Sequence, residues 1–379
     1  MTTTSTTTGP FFRDDLHGIS EGVHLYSGAE GPSLHAHRDA AMRYLDDKSS
    51  GAEGRLHGEA ELATARIQLA RLLNGSPDAI ALLGNASDVI HRLAGLIQYE
   101  PGSNVVTSDL EFPSGVQSLL TLRDRGVEVR FARSRGGDLT AEDFGEVIDD
   151  RTRLVLSSHT SYVSGVRIDA RALRAMANGV GAAFILDATQ SLGVLPVDAE
   201  EADAIVSSTD NGLLSPHGMG VVHFTRPEAF DGPVSAVGWR SVDNVFAPDR
   251  LERFHLHSDA RQLELGFPSF PGVYLMNESL RLLLSVDPLA LEEHVLQLTT
   301  RLVDALRGLG AELLTPDDPK RRGTNVSVVC PDGERVAERM LAESGVRVWG
   351  GDGRVRFSIH GFTSATDIDA AVEAYRAAV

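Results

Sequence analysis

The chain has 379 residues, with 35 basic and 53 acidic side chains and a formal net charge of −18. This charge opposes association with phosphate backbones and anionic membrane surfaces, so neither nucleic acid nor a membrane is an expected partner. A chain of this length is expected to bury well over half of its unfolded surface, which allows a large domain, a smaller companion and an enclosed pocket.

The chain contains a single cysteine, Cys330, which excludes an internal disulfide and a thiolate metal cluster built from one chain. No apolar run approaches the roughly 20 residues that cross a bilayer. The threonine-rich start, 1–8, lacks the pattern of a signal peptide and is predicted to be a disordered tail. We therefore predict a cytoplasmic location. Two His-x-His pairs occur, at 35/37 and 255/257, but neither has a companion cluster of metal ligands, so no metal site is predicted.

Short apolar runs alternate with helical patterns up to about residue 208. Apolar residues at three-to-four spacing predict helices over 34–47 and 59–73, and the apolar run 79–83 precedes a turn and a helix through 97. Further elements are predicted as a helix near 115–125 and strands at 104–107, 127–131, 153–157, 183–186 and 204–208. This alternation predicts an α/β fold whose mostly parallel, helix-flanked sheet gathers ligands at the carboxyl ends of its strands.

The pattern changes beyond about residue 254. Long helical patterns come first, followed by shorter elements of a small α+β unit: helices over 274–286 and 291–309, a strand at 324–329, a helix near 336–344, strands at 346–348 and 355–358, and a helix from 367. We therefore divide the chain into an N-terminal segment 1–24, a large α/β domain 25–254 and a small C-terminal α+β domain 255–379.

Polar motifs follow the predicted strands. They are GNASD at 84–88, EFPS at 111–114, SHTSYVSG at 158–165, LDATQSLG at 186–193, SSTDNGLLSPHGMG at 207–220 and RFSIHGFT at 356–363. In this order they resemble the class V aminotransferase family of fold type I pyridoxal phosphate (PLP) enzymes, especially its isopenicillin-N-epimerase-like and cysteine-desulfurase-like branches. The resemblance runs from about residue 25 to the C-terminus and is most specific at 186–193.

The resemblance implies which residues would contact a PLP group. A hydroxyl at a helix N-terminus suits a phosphate, and a carboxylate beside the pyridine nitrogen keeps the ring an electron sink. By their places in the motifs, the cofactor contacts would be Ser87 in the phosphate loop, Phe112 stacked on the ring, Asp187 at the ring nitrogen and Gln190 at the ring oxygen, with Ser208 as a further contact.

A second set of residues is implied to face the substrate. Arg356 would clamp a substrate carboxylate, because its planar fork pairs with both oxygens. Tyr162 replaces a usual Asn, Phe267 replaces a Thr that reaches the partner subunit's phosphate, and Trp239 corresponds to a pocket wall. The resemblance further implies a homodimer with active sites at the subunit interface.

The motif at 207–220 departs from the family pattern at its reactive position. Aligned without gaps, Asn211 falls on the Schiff-base lysine and Asp210 on the histidine before it. The chain has only two lysines, Lys48 and Lys320, and neither is expected near the strand ends. The covalent tether and the proton-shuttling base are then missing, and because acid–base help alone is worth ~10²–10⁴ in rate, ordinary transamination is not expected. Segment 347–353 also lacks the nucleophilic cysteine of a cysteine desulfurase.

Three hypotheses follow for this cleft. The first is a PLP-independent acid–base enzyme, of lyase, isomerase or cyclase type, acting on a small amine- or carboxylate-bearing intermediate of specialised metabolism. Its catalytic or cation-binding groups would be His159, Asp187, Asp210 and Asn211. The second is an enzyme that holds PLP or pyridoxamine phosphate without a covalent tether. The third is a catalytically inactive binding or partner subunit. Asp187 and Gln190 favour the second hypothesis, and the residues at 210, 211 and 267 favour the first.

Overall fold

The protein is described by a computed structural model that covers residues 9–234 and 236–379. The tract 1–8, predicted to be a disordered tail, lies outside the described residues. Within the described ranges, no helix has the length and apolar character needed to cross a membrane.

The strands and helices follow one another along the chain as the periodicity predicts. In chain order the strands are β1 (Val23–Leu25), β2 (Ile80–Leu83), β3 (Asn104–Ser108), β4 (Glu128–Ala132), β5 (Thr152–Ser158), β6 (Ala183–Asp187), β7 (Ala204–Ser208), β8 (Gly220–Phe224), β9 (Asn325–Val329), β10 (Val346–Gly351) and β11 (Arg354–Ser358). The helices are α1 (Ala36–Ser49), α2 (Ala52–Leu72), α3 (Ala86–Gly95), α4 (Pro113–Leu120), α5 (Ala141–Gly145), α6 (Ala170–Gly179), α7 (Phe270–Leu283), α8 (Pro288–Gly308), α9 (Gly333–Ser344) and α10 (Ala365–Ala378).

The larger sheet has seven strands in the order β2-β8-β7-β6-β5-β3-β4. Neighbouring strands from β7 through β6, β5 and β3 to β4 are parallel, whereas β8 runs antiparallel to both β2 and β7. The predicted α/β fold with a mostly parallel, helix-flanked sheet is therefore confirmed. In this arrangement β5, β6 and β7 end side by side, which brings together the polar residues that follow them.

Both faces of the large sheet are buried. In β6, Phe184 and Leu186 belong to one apolar core, and Ala183 and Ile185 belong to the core on the opposite face. Because side chains alternate along a strand, only a strand covered on both sides reads as a continuous apolar run. This explains why the central strands are visible in the sequence.

The smaller sheet has the order β1-β10-β11-β9 and presents two different faces. Val355 and Phe357 of β11 are buried in an apolar core formed with helices of the C-terminal part. The alternate residues Arg354, Arg356 and Ser358 lie on the other face and are also buried. Because a buried charge is costly without a partner, the two arginines on this face need polar partners from other parts of the chain or from a ligand. The same face contributes to the cavity described below.

Two elements differ from the sequence prediction. Helix α2 begins at Ala52 rather than at 59, because Gly54 and Gly58 are buried in its first turns yet contribute no apolar side chain to the periodicity. Strand β8 was not predicted; it fills the position between β2 and β7, with Val221 opposite Leu82.

Strand β1 joins the small sheet although it lies near the start of the chain. Val23 and Leu25 pair in parallel with Val346 and Val348 of β10. The small sheet is thus assembled from distant parts of the sequence. The division at residues 24 and 254 stays a prediction.

Candidate active site

A cavity of about 340 Å³ lies where the carboxyl ends of β5, β6 and β7 face the polar side of the small sheet. Volumes of this size are typical of pockets for small ligands. Among the predicted site residues, those that line the cavity are Ser87, Phe112, Tyr162, Asp187, Gln190, Ser208, Asp210, Asn211 and Arg356. Residues from both parts of the chain therefore meet in one enclosed space.

Asp187 ends β6 and directs its carboxyl group to the cavity. The backbone N–H of Thr189 donates to Asp187 Oδ1 at 2.9 Å, and this is the Asx geometry that turns the chain after the strand. Burial raises the pKa of Asp187, although the hydrogen bond from Thr189 opposes the shift. A raised pKa makes this carboxylate a stronger proton acceptor than an exposed aspartate.

A second carboxyl group, that of Glu111, lies behind the cavity wall. The hydroxyl of Ser158 donates to Glu111 Oε2 at 2.6 Å, and the Ser158 N–H donates to Oε1 at 2.9 Å. Burial raises the pKa of Glu111 to about 7, a shift that its hydrogen bonds oppose and the nearby charge of Asp187 reinforces. Since Ser158 itself lines the cavity, its hydroxyl connects Glu111 with the ligand space.

The loop after β7 places Asp210 and Asn211 in the cavity. The Ser208 hydroxyl donates to Asn211 Oδ1 at 2.7 Å, and the Asn211 side chain is almost fully buried. Asp210 Oδ2 lies 3.4 Å from Nε2 of His217, an imidazole that is 66% exposed. The loop backbone is held in turn by the Gly31 N–H, which donates to the Asp210 carbonyl at 2.7 Å.

Gln190 connects the two sheets at the edge of the cavity. Its Nε2 donates to the Gly28 carbonyl at 2.8 Å, and its Oε1 accepts from Asn325 Nδ2 of β9 at 2.9 Å. Behind this contact, Gly165 has φ of +76° and its Cα approaches the Asn325 carbonyl so closely that an added Cβ would lie 1.9 Å from that oxygen. The cavity edge therefore depends on a glycine at this point.

Arg356 lies on the wall opposite the strand ends and is 2% exposed. Its NH1 donates to the Tyr162 carbonyl at 3.0 Å, and its guanidinium lies 5.2 Å from the Trp349 ring centroid. Its Nε is buried without a hydrogen-bond partner among the described residues. Burial, aided by the nearby Arg354 charge, lowers the pKa of Arg356 to about 10, so the group stays cationic at neutral pH.

Arg354 strengthens the positive charge at this wall. It is 4% exposed and lies under the rings of Trp349 and Tyr162, with its guanidinium carbon 4.7 Å and 5.2 Å from their centroids. Its carboxylate neighbour, Asp352, is 3.6 Å away and 70% exposed. Two buried cations with one solvated counter-ion favour an anionic ligand at Arg356.

Ser87, expected in the phosphate loop, and Phe112, expected over the ring, are solvent-accessible at the mouth of the cavity. Phe112 is 51% exposed and packs edge-on against Tyr162, with the ring centroids 5.2 Å apart. Ser87 follows Asn85, whose side chain caps α3 by accepting from the Asp88 N–H at 2.8 Å. The N-terminal end of α3 therefore borders the cavity.

Three predicted site residues lie outside the cavity lining. His159 is 2% exposed, and burial lowers the pKa of its imidazole to about 3, so the ring is neutral. Its Nε2 lies 3.8 Å from Glu201 rather than near Asp187. Trp239 and Phe267 instead pack edge-on against each other on the surface, with ring centroids 4.8 Å apart.

Sequence reasoning did not single out several residues that shape the cavity. Glu111 was recognised only as part of a motif, and Ser158, Trp349 and Arg354 were not assigned a role. The alternation of Arg354 and Arg356 with buried apolar residues was a usable signal, because it places both arginines on one face of a strand. The contact between Glu111 and Ser158 depends on the packing of separate strands and had no local signal.

The described residues contain no group of three or more histidine, cysteine or acidic side chains arranged to hold a metal ion. Neither lysine lines the cavity. Lys48 lies on α1 and Lys320 on a surface loop, and both are exposed.

The class of the protein follows from this fold and from the family comparison. The aminotransferase class-V model matches residues 30–370, and the chain belongs to this family. The predicted resemblance is thereby confirmed at the level of the family.

Individual relatives include two enzymes and one solved structure. A probable cysteine desulfurase of Methanothermobacter thermautotrophicus is 33% identical over 219 residues, which cover 56% of this chain and 55% of that protein, so the chain spans about half of that relative's length. Isopenicillin N epimerase of Streptomyces clavuligerus is 26% identical over 329 residues, with 82% of each chain covered. A C-DES variant in which alanine replaces a lysine, with glycine covalently linked to its PLP cofactor, matches with a TM-score of 0.87 and 19% identity over 96% of this chain and 98% of that chain. This last likeness shows the fold alone.

The residues of this cavity fit one half of a PLP group better than the other. Asp187, Gln190 and Phe112 are suited to the ring, because they offer a carboxyl group, an amide and an aromatic face in one cavity. Where the family resemblance places the phosphate, the Ser208 hydroxyl is donated to Asn211, and Asp210 adds a carboxylate that opposes a phosphate. Ser87 and the N-terminal end of α3, which also border the cavity, would still suit a phosphate, so this half of the site combines groups that favour and groups that oppose it.

Proposed function

We propose that the chain is an enzyme that binds a small, carboxylate-bearing amine and moves protons with carboxyl groups rather than with a lysine Schiff base. The observation that supports this most directly is that Asp187, Asp210 and Arg356 line one cavity, while both lysines lie on the surface elsewhere. The reaction class would be that of a lyase, isomerase or cyclase, in which a proton is removed from one atom and returned to another.

The proposal assigns Asn211 to the position of the family's Schiff-base lysine. Its amide is neutral, and its oxygen already accepts the Ser208 hydroxyl. It can therefore neither form an imine nor act as a base at neutral pH. Its part in the proposal is to hold Ser208 and to fill the space that an amine would occupy.

Arg356 would bind the substrate carboxylate. Burial leaves its guanidinium with an unpartnered Nε, so a carboxylate that enters the cavity satisfies a donor that the protein leaves open. A planar fork also fixes the orientation of the carboxylate, which determines the part of the substrate that faces the strand ends.

Asp187 would be the principal proton-transfer group. Its Oδ1 accepts from the Thr189 N–H at 2.9 Å, and its carboxyl group lines the cavity, where a ligand can contact it. Glu111 would act through the Ser158 hydroxyl as a positioning residue, since a raised pKa keeps it ready to hold or release a proton near neutrality. His159, buried away from the cavity, has no part in this proposal.

Solvent deuterium exchange tests the proposal with a panel of amino acids, so the substrate need not be identified first. Each amino acid is incubated with the protein in D₂O without PLP, and exchange at the carbon next to the carboxylate is followed by NMR. We expect exchange with at least one member and a loss of roughly 10²-fold or more in Asp187→Asn, in line with the usual worth of a general base. Exchange that Asp187→Asn leaves unchanged would contradict the assignment.

The second candidate function is catalysis with PLP or pyridoxamine phosphate held without a covalent tether. It is favoured by the retained ring contacts at Phe112, Asp187 and Gln190. A yellow purified protein, or deuterium exchange that appears only when PLP is added, would favour this candidate over the first. Absence of exchange under both conditions would favour an inactive binding subunit.

The proposal includes a cytoplasmic homodimer. Met42, Leu45 and Leu56 on the first two helices are 54%, 51% and 71% exposed, and exposed apolar side chains of this kind suit a subunit interface. Trp239 and Phe267 add further exposed aromatic area. Multi-angle light scattering should give twice the chain mass, and Leu56→Glu should shift the protein towards the monomer.

A further inference from the structure

We propose that Asp210 converts the α3 end of the cavity from an anion site into a cation site, so that the natural ligand carries a cationic group there and a carboxylate at Arg356. This inference rests on the proposed function in one respect, namely that the ligand binds in this cavity. It specifies the charge pattern of that ligand.

The two ends of the cavity have opposite charge. Arg356, with Arg354 behind it, supplies buried positive charge on the small-sheet side. Asp187 and Asp210 supply carboxyl groups on the large-sheet side. A ligand with a single negative end satisfies only one of these walls. A ligand with a negative and a positive end satisfies both.

Asp210 is not neutralised by a strong internal partner. Its one ion-pair partner among the described residues is His217, at 3.4 Å, and the imidazole is 66% exposed while the Asp210 side chain is 19% exposed. Such solvated pairs contribute little, because water and salt screen the imidazole. The carboxylate therefore keeps most of its negative potential on the cavity side, where the surroundings are less polar.

Elements of an anion site remain beside the loop that carries Asp210. Ser87 and the N-terminal end of α3, a helix of ten residues, line the same cavity. Gly220, which pairs with Ser208, packs so closely on Asn85 at the start of α3 that an added Cβ would lie 2.3 Å from the Asn85 carbonyl carbon. Backbone N–H groups and the helix dipole at such an end attract phosphate. Asp210 opposes that attraction, so removal of its charge should strengthen phosphate binding at this end.

Ser208 is a hydroxyl donor that could otherwise bind a phosphate in this part of the cavity, but its hydrogen bond is already made within the protein. The Ser208 hydroxyl is donated to Asn211 Oδ1 at 2.7 Å, so it is not free to donate to a phosphate oxygen. Its lone pairs remain available as acceptors, which suits an ammonium or guanidinium group. Ser208 and Asp210 thus favour the same kind of ligand charge.

The first test compares PLP binding by the unmodified protein, Asp210→Asn and Asp210→Ser, using absorbance titration. We expect both variants to bind PLP at least about tenfold tighter, since a like charge has been removed from the phosphate end. Asp243→Asn, a change of the same kind on a side chain 60% exposed and outside the cavity lining, should leave PLP affinity unchanged. Circular dichroism verifies that each variant is folded. An Asp210 variant that is folded and binds PLP no tighter than the unmodified protein overturns the inference.

The second test uses calorimetry with L-lysine and L-norleucine, which differ mainly by the terminal ammonium. We expect L-lysine to bind about tenfold tighter to the unmodified protein, and the preference to vanish in Asp210→Asn. Equal affinity for the two amino acids in the unmodified protein overturns the cation site.

These binding results separate the inference from the proposed catalysis. If the PLP and lysine results are as expected but no deuterium exchange occurs, the proposed catalysis fails and the cation site stands. If Arg356→Lys weakens both amino acids and Asp210→Asn changes neither, the carboxylate site stands and the cation site is refuted.

Discussion

Glu111 offers a test of the site's electrostatics that needs neither substrate nor cofactor. Burial raises the pKa of its carboxyl group from 4.5 to about 7. Between these values the folded protein binds more protons than the unfolded chain, so the free energy of unfolding falls as pH rises from about 4.5 to about 7 and is level above that. The interval between the two pKa values corresponds to about 3 kcal/mol, because one pKa unit is worth about 1.4 kcal/mol.

Glutamine is a suitable replacement because it preserves most of the hydrogen bonds. Its Oε1 can accept from the Ser158 N–H as the glutamate does, and its Nε2 can donate to the Ser158 hydroxyl. Since the amide does not ionise, Glu111→Gln should lose the pH-dependent part of the stability. We expect the variant to gain about 2 to 3 kcal/mol relative to the unmodified protein on going from about pH 5 to about pH 8.

Urea denaturation at about pH 5 and about pH 8 measures this difference directly. Glu146→Gln serves as the control, because Glu146 is 69% exposed and pairs with an equally exposed arginine. The control should show the same pH dependence as the unmodified protein. If Glu111→Gln changes the free energy of unfolding by the same amount at both pH values, the burial argument for Glu111 is wrong.

Three further changes have defined expectations. Asp203 is fully buried and pairs with Arg174 at 3.1 Å, so Asp203→Ala should lower the free energy of unfolding by about 3 kcal/mol or more in urea denaturation. Gly165→Ala places a Cβ against the Asn325 carbonyl at positive φ, and a lower melting temperature in calorimetry is expected. Arg356→Lys keeps the charge but loses the planar fork, so calorimetry with L-norleucine should show about tenfold weaker binding. An unchanged result in any of the three would contradict the contact on which it rests.

The central strands and the longer helices could be predicted because their burial leaves a local pattern. The strands β5, β6 and β7 each contain an uninterrupted apolar run of three or four residues, since both faces of the sheet are covered. The predicted helix 291–309 nearly coincides with α8, which has an apolar stripe along its length and an Asp287 cap ahead of Pro288.

The missed elements lack a signal of this kind or have it obscured by their neighbours. The first turns of α2 are buried through glycines, which leave no apolar periodicity. Strand β8 has only a short apolar pattern, which His223 interrupts between Val222 and Phe224, and it directly follows the glycine-containing motif 207–220. Its antiparallel position between β2 and β7 is a property of the topology and could not be inferred from five residues.

The sequence motifs identified most of the residues that line the cavity, but they did not predict how the side chains are arranged in it. Nine predicted residues line one cavity because the carboxyl ends of parallel strands converge, and this convergence follows from the fold alone. By contrast, His159 directly follows Ser158, the last residue of β5. Its imidazole lies near Glu201 and outside the cavity lining. Adjacent residues at a strand end face opposite ways, so an assignment that is one position off places a residue outside the site.

The pairing of β1 with β10 has a consequence for how this protein can be made. Val23 leaves the ribosome long before Val346, its partner in the small sheet. At usual synthesis rates of about 5–20 residues per second, the interval is roughly 15–60 s. During that time the edge of β1 has no native neighbour from β10, and the polar wall with Arg356 does not yet exist. The cavity can therefore close only after nearly the whole polypeptide has been synthesised, and until then β1 is an unpaired strand edge open to non-native pairing.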